Sequence, residues 1–578
     1  MRLRTLLEAS EIDYTLVQGS GNEEIRGVAI DSRKVEPQCL FMGLPGTKVK
    51  GSQFVEDAVA RGASAVLVSH DEADEVLGKV PDSVAVVTVP DIRQAAGFIA
   101  HAFFGKPSEK LKLVGITGTN GKTTCAFLID SILRAWGKKT GISGTICQRL
   151  GEKECAASLT TPDCVEFHRF LKRAVDMGLE YVVTEVSSHA LDQGRVEGAR
   201  FETSLFTNLT RDHLDYHKDF ESYFQAKSLL FSSHYSMCCA INLDDPYGKR
   251  LWEQTNIKKY SYGQGERGLD VHPLEARLDR NGIHATIRVG HEEISLKSSL
   301  LGRHNLQNIL ASAAVALTLG VPSQAIKQGI EALDSIPGRL EPVGTTDVTA
   351  LVDYAHTPDA VRNVLLALSE IKGSGRIITV IGCGGDRDRG KRPEMAATAC
   401  RYSDLAIFTS DNPRSEDPAR IIDDMIQGVE QSLRARMRVI EDRKEAIFWA
   451  CSQLRAGDLL LVAGKGHEDY QIIGQSRLSF DDSKVLARGL ERRASTLLKE
   501  AGAAGKFTPV LRNVCRATGG KCHARYEFVS FDSVSTDSRQ IEPGQLFWAL
   551  KGERFDGNKF VDKALEKGAS CAVCREFQ

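Results

Sequence analysis

No apolar run in this chain of 578 residues approaches the roughly 20 residues that a membrane-spanning helix needs. The opening MRLRTLLEASEIDY lacks the apolar core of a secretory signal. These two absences argue against membrane insertion and predict a cytoplasmic protein. Charge of either sign is also not in excess: the formal net charge is −2, so there is no electrostatic case for nucleic acid. The fourteen cysteines lack a framework, because neither Cys571-x-x-Cys574 nor Cys238-Cys239 has a partner pair at metal-ligand spacing. Reduced thiols are expected. The glycines of Gly382-Cys383-Gly384-Gly385 do not follow G-x-G-x-x-G, which removes a nicotinamide site. Even the phosphate-loop pattern lacks a member, since Ile116 stands where the first glycine of G-x-x-x-x-G-K-[ST] belongs.

What is present is LKLVGITGTNGKTT, residues 111–124. Leu113 to Thr117 reads as a buried strand. Gly118-Thr119-Asn120-Gly121-Lys122-Thr123-Thr124 reads as a glycine-punctuated turn, and Cys125 to Trp136 as an amphipathic helix. Strand, turn and helix N-terminus together form a phosphate cradle, with backbone N–H groups and the helix dipole facing the anion. Lys122 is placed on the β/γ-phosphates of ATP and the Thr123 hydroxyl on Mg²⁺.

The length exceeds one core, and a soft prior gives about three to five domains. We place a small leading domain at 1–108, an ATP-binding domain at 109–336, and a second α/β domain at 337–497. A Gly/Ala linker is placed at 498–506 and a final module at 507–578. In the two middle domains apolar runs such as 181–184, 204–207, 350–353, 377–381 and 459–462 alternate with helical patterns. That alternation predicts βαβ units, mainly parallel sheets, and functional groups at strand C-terminal ends.

The ends of the chain repeat each other. Shifted by 506 positions, residues 31–64 align without a gap on 537–570, with 16 of 34 identical, among them Asp31/Asp537, Ser32/Ser538 and Arg33/Arg539. A small module therefore begins twice. Asp31-Ser32-Arg33 itself reads as a turn held by Asx-type hydrogen bonds. The second copy is expected to expose apolar surface at Leu546, Phe547 and Trp548.

For chemistry, Glu185 ends a strand and reads either as a carboxylate ligand of Mg²⁺ or as a helix cap. His213 and His217, four apart, raise a zinc reading, but no third ligand lies at convincing spacing. Beside Mg²⁺, or simply hydrogen-bonded, is the better place for His213. Arg387, Arg389, Arg392 and Arg414 are groups that grip carboxylates in a bidentate fork, and they read equally as surface salt bridges. Lys227 reads from the residues alone as an exposed helix position. An ATP cradle plus a carboxylate-selective cluster suggests a ligase that activates one carboxylate and captures an amino acid.

At this point ten ordered motifs resemble the Mur ligase family over residues 1–497: GTNGKTT at 118, TTP at 160, EVSSHALDQGRV at 185, TNLTRDHLDYH at 207, GRHNLQN at 302, PGRLE at 337, DYAHTPD at 353, GCGGDRDRGKRPEM at 382, DNPRSEDP at 411 and GKGHEDYQ at 464. The resemblance is to the branch adding the third stem-peptide residue of peptidoglycan. It implies a three-domain α/β architecture and a reaction joining meso-diaminopimelate to UDP-N-acetylmuramoyl-L-Ala-D-Glu with ATP. By position it implies a UDP-substrate site at Ile30, Ser32, Thr47, Lys48, Val49, Thr160, Thr161, Ser187, Gln193 and Arg195. It implies ATP contacts from residues 118–124, Asn305, Arg339 and Asp353, and a catalytic and Mg²⁺-organising set of Lys122, Thr123, Glu185, His213 and a carbamylated Lys227. The amino-acid pocket is implied at Arg387, Asp411, Asn412, Pro413, Arg414, Gly464 and Glu468, with Arg414 clamping a distal carboxylate that lysine lacks.

Residues 507–578 resemble the start of the family member that adds D-Ala-D-Ala, which suggests a fusion. No second GTNGKT follows residue 500, so that second activity is not expected here. A monomer is expected, and the tail is expected to be dispensable for ligation. The rival readings are a lysine-adding or folylpolyglutamate synthetase-like ligase, a P-loop switch ATPase, and a non-catalytic binding protein.

Overall fold

A computed structural model describes residues 1–46, 49–157, 159–265, 268–344, 347–503, 510–518, 522, 526–550 and 556–574. The chain forms two compact units, Met1–Asp334 and Ser335–Gln578.

The first unit holds two sheets. The smaller has five strands in the order 15–18, 85–89, 63–69, 39–42 and 27–29. The Asx turn expected at residues 31–33 is there: Asp31 accepts from the Arg33 backbone N–H at 3.0 Å and from its guanidinium at 2.9 and 2.8 Å. The larger sheet has eleven strands. Its parallel centre has Lys112–Thr117 between Phe201–Phe206 and Tyr181–Glu185, with antiparallel strands at both edges. Strand Lys112–Thr117 is buried from Leu113 onward, as a strand covered on both faces must be. Three strand C-terminal ends therefore lie side by side at Thr117, Glu185 and Phe206, where an open parallel sheet builds its sites.

The second unit holds a six-stranded sheet in the order 341–342, 349–353, 459–463, 377–381, 405–408 and 437–439, parallel except at its first edge strand. Helix Asp482–Ala503 packs on it. The Gly/Ala composition of 498–506 led us to expect a linker, but residues 498–503 continue this helix, because Leu, Lys, Glu and Ala are strong helix formers. Beneath the sheet Arg443 and Asp482 form an ion pair of zero exposure, with two hydrogen bonds of 2.8 and 2.6 Å. Arg443→Leu strands a buried carboxylate and should cost about 3–5 kcal/mol. Urea unfolding of the variant and of Arg443→Leu/Asp482→Leu checks this. The double change should recover most of the loss, and an unshifted midpoint in the single variant would show that the pair contributes nothing.

The repeat in sequence is a repeat in structure. Parallel strands Val534–Ser535, Leu546–Trp548 and Cys571–Val573 follow the order of 27–29, 39–42 and 63–69. Asp537 grips Arg539 at 2.9, 2.9 and 2.8 Å, as Asp31 grips Arg33. The expectation that Leu546 and Phe547 are exposed is wrong: their exposures are 0% and 1%. Their strand is the middle one of three, and apolar clusters that include Leu511, Phe531, Ile541 and Ala564 cover it. Trp548 is half-buried, and the exposed apolar side chains here include Leu550 and Val534.

Candidate active site

In the first unit, the loop after Thr117 is held by the loop after Phe206. The Asn208 side chain accepts from the Asn120 N–H at 2.9 Å and donates to the Asn120 carbonyl at 3.1 Å. Thr207 Oγ1 donates to the same carbonyl at 2.7 Å, and Thr119 N–H donates to Asn208 O at 2.8 Å. Gly118 has φ +146°, and a Cβ there would lie 1.9 Å from Thr207 Oγ1. Gly118→Ala therefore forces about 1–3 kcal/mol of overpacking on the cradle, with backbone strain besides. Thermal unfolding and nucleotide binding should both fall. Wild-type nucleotide affinity in the variant would mean the loop relaxes freely.

Two cations converge on this loop. Lys122 Nζ donates to Gly118 O at 2.9 Å and to Thr119 O at 2.9 Å. Lys227 Nζ donates to the same Gly118 O at 2.9 Å. Lys227 is 1% exposed, which corrects the surface reading: helix Phe220–Ser228 turns this side chain inward, 4.6 Å over the Tyr223 ring. Burial, then repulsion from Lys122, holds its amine well below the usual lysine range. Burial also lowers His213 to about 4. His213 has φ +54° and caps the short helix Leu214–His217, with Nε2 3.3 Å from Asp212. His217 points instead to Ser188 Oγ at 2.9 Å. Among the described residues no group of three His, Cys, Asp or Glu side chains could hold a metal ion by itself.

Glu185 is not a helix cap; Ser187 caps helix Ser188–Asp192. The Glu185 carboxylate accepts from Thr123 Oγ1 at 3.1 Å, from Thr145 N–H at 2.8 Å and from Thr145 Oγ1 at 3.0 Å. Thr145, absent from every motif considered, also sits 3.1 Å from Thr160 Oγ1. Thr161 donates to Glu185 O at 2.9 Å and accepts from Ser187 N–H at 3.0 Å. Arg195 donates to Thr161 O at 2.9 Å and forks onto Gln193 Oε1 at 3.0 and 2.7 Å. Thus Thr123, Glu185, Thr160, Thr161, Ser187, Gln193 and Arg195 form one continuous network. Asn305 joins the cradle indirectly, accepting from Asn308 at 3.0 Å, while Asn308 abuts Gly121.

In the small domain, Ser32 is buried, Ile30 half-buried and Val49 exposed. Thr47 and Lys48 lie outside the described residues. Arg93, also unforeseen, reaches Pro45 O at 3.0 Å from helix Ile92–Phe103, and its charge acts on Arg195 and Tyr216.

In the second unit, Asp353 accepts from Leu340 and Ala355 backbone N–H groups at 2.7 and 2.8 Å. Arg339 stacks 5.0 Å over the Tyr354 ring. The arginine cluster divides. Arg392, 1% exposed, is bound to Glu416 at 2.7 Å and to Asp424 at 2.8 Å, and Arg389 pairs with Glu416 at 2.9 Å. Those two are structural ion pairs. Arg387 is exposed, and Arg414 is half-buried with Nη1 on Gly385 O at 2.8 Å; among the described residues neither forms an ion pair with a carboxylate. Arg414 has φ +52°, fixed by Arg414 N–H to Ile472 O at 3.1 Å and Gly474 N–H to Arg414 O at 2.7 Å. Pro413 is buried. Asn412 donates to Glu468 at 2.9 Å, and the fully buried Lys465 lies between them at 3.2 Å from each. Sequence reading passed over Lys465 inside GKGHE because a lysine on a loop reads as solvated.

Comparison with known proteins places these clusters in a family. Residues 116–316 match the Mur ligase middle domain and 338–466 the Mur ligase glutamate ligase domain. Residues 24–104, and again 530–578, match the catalytic domain of the Mur ligase family. A UDP-N-acetylmuramoyl-L-alanyl-D-glutamate--2,6-diaminopimelate ligase of Gloeobacter violaceus is 42% identical over 501 residues, covering 86% of this chain and 99% of the relative. The enzyme of the same name from Aquifex aeolicus is 44% identical over 464 residues, covering 80% and 93%. A solved structure bearing that name is 32% identical with a TM-score of 0.62, covering 86% of this chain and 99% of that one. MurF from Acinetobacter baumannii, 18% identical with a TM-score of 0.58 over 85% and 98%, shares the fold. The chain belongs to the Mur ligase family of ATP-dependent ligases.

Proposed function

We propose that this ligase adds meso-diaminopimelate to the D-Glu carboxylate of UDP-N-acetylmuramoyl-L-Ala-D-Glu in cytoplasmic peptidoglycan precursor synthesis. The observation that carries the ATP chemistry is the meeting of the Lys122 and Lys227 side chains on one carbonyl of a glycine-rich turn that leads into a helix N-terminus. Such a turn presents backbone N–H groups and the helix dipole to a polyanion. The relatives at 42–44% identity supply the substrates by name.

In this reading the D-Glu carboxylate oxygen attacks the γ-phosphorus of ATP, the bond to the bridging oxygen breaks, and ADP leaves. Lys122 neutralises charge on the transferring phosphoryl group. The chemistry of the residues present fits a Mg²⁺ ion: the Thr123 hydroxyl and the Glu185 carboxylate are hydrogen-bonded oxygens that would hold it. When bound, the ion would supply Lewis-acid polarisation of the phosphate oxygens. Lys227, its amine held well below the usual lysine range by burial and by Lys122, is suited to take up CO₂ as a carbamate, which would place a carboxylate at the cradle. The diaminopimelate amine then attacks the acyl phosphate, and phosphate leaves from the tetrahedral intermediate.

The test follows phosphate release with Mg-ATP and the UDP-dipeptide, adding meso-diaminopimelate or L-lysine in parallel. Release with diaminopimelate alone is expected. Release with lysine instead would keep the ligase and overturn the pocket, and release needing neither would mean a switch ATPase.

A further inference from the structure

Lys465 follows strand Leu459–Ala463 and has no exposed surface. A buried ammonium is costly unless paired and hydrogen-bonded. Its Nζ meets three acceptors of the reading proposed above: Asn412 Oδ1 at 3.2 Å, Glu468 Oε2 at 3.2 Å and Asp411 Oδ1 at 3.7 Å. The last distance is an ion pair without a hydrogen bond. Asp411 is 7% exposed, and among the described residues its carboxylate accepts no hydrogen bond; Gln471 donates to its backbone oxygen instead. Space is kept in front of it by Gly464, where a Cβ would stand 2.8 Å from Asp411 Oδ2.

Arg443, whose field also reaches Asp411 and Glu468, is hydrogen-bonded to Asp482 and to Ala463 O at 2.9 Å. The charges of Arg339, Arg414, Arg477 and Asp469 act on the neighbouring Tyr354 and Tyr470, whose hydroxyls burial pushes upward. Among these groups Lys465 is the cation that hydrogen-bonds both Asn412 and Glu468.

We propose that Lys465 is the positioning residue of the amino-acid pocket. It draws Asn412 and Glu468 together by hydrogen bonds and halves the negative charge of the Asp411–Glu468 pair, so that the pocket takes one substrate ammonium. The inference rests on the assignment of 411–414 and 464–468 as the amino-acid site.

The full-length enzyme tests it through Lys465→Met and Lys465→Gln, with KM measured separately for amino acid, ATP and UDP-dipeptide. Lys465→Met should raise the diaminopimelate KM about 30-fold, from the loss of charge-assisted bonds, with the other two KM values within about twofold. Lys465→Gln keeps the hydrogen bonds, so it should recover about half of the loss on a logarithmic scale. A wild-type amino-acid KM in both variants would overturn the role of Lys465, and so would an equal rise in all three KM values. A wild-type enzyme whose phosphate release ignores every amino acid would overturn the pocket assignment itself.

Discussion

Lys122→Ala should lower kcat for phosphate release by about 10²–10³-fold while leaving the protein folded. The side chain is half-buried and donates to two carbonyls of its own loop, Gly118 O and Thr119 O. Losing these neutral-acceptor bonds should cost about 1–2 kcal/mol of stability. The loss in rate comes from another source. A preorganised cation that meets charge only as the phosphoryl group transfers is worth several kcal/mol in the transition state, and removal of one such donor typically costs about 10²–10³ in kcat. Loss of the charge also relieves the repulsion felt by Lys227, so the Lys227 amine should titrate higher in the variant. The measurement is single-turnover phosphate release beside a thermal melt. A variant that melts with wild type and turns over at wild-type rate would remove Lys122 from the mechanism.

The phosphate cradle was legible because its geometry is local. A buried strand, positive-φ glycines and a helix N-terminus are neighbours in the chain, so spacing alone places Lys122 and Thr123. The order of the motifs made the family and the α/β class readable too. Asn208, in the motif that follows a strand end, was legible in the same way. Thr145 was not: it lies outside every motif and reaches Glu185 only through the folded loop after Thr140–Ser143. Burial of single cations was the other blind spot. Lys227 reads as solvated because charged side chains usually are, and Lys465 drew no reading of its own, whereas helix Phe220–Ser228 and the turn after Ala463 point them inward. The arginines show the same limit. Arg389 and Arg392 cannot be told from Arg387 and Arg414 by spacing, and only the positions of Glu416 and Asp424 separate the ion-paired arginines from the other two.

Arg414→Met should reduce kcat/KM for meso-diaminopimelate by about 10³-fold and leave the small activity with L-lysine almost unchanged. The backbone of Arg414 is left-handed and held by Ile472 and Gly474, so the structure maintains a strained residue in order to aim one guanidinium. Its Nη1 touches only carbonyls, Gly385 O at 2.8 Å and Asn412 O at 3.5 Å, and a planar fork so placed has donors left for a carboxylate. Methionine keeps the length of the stem and carries the same strain, so the comparison isolates the fork. Wild type should reject lysine strongly, because lysine lacks the distal carboxylate and leaves those donors unmatched in a half-buried pocket. The variant has no donors to leave unmatched, so its preference should collapse by about the same factor that diaminopimelate loses. Arg414→Lys separates charge from geometry. A point charge without the fork should restore no more than about a tenth of the lost activity. Should Arg414→Met keep the wild-type ratio between the two amino acids, selectivity would have to reside elsewhere. The exposed Arg387 would then be the next residue to replace.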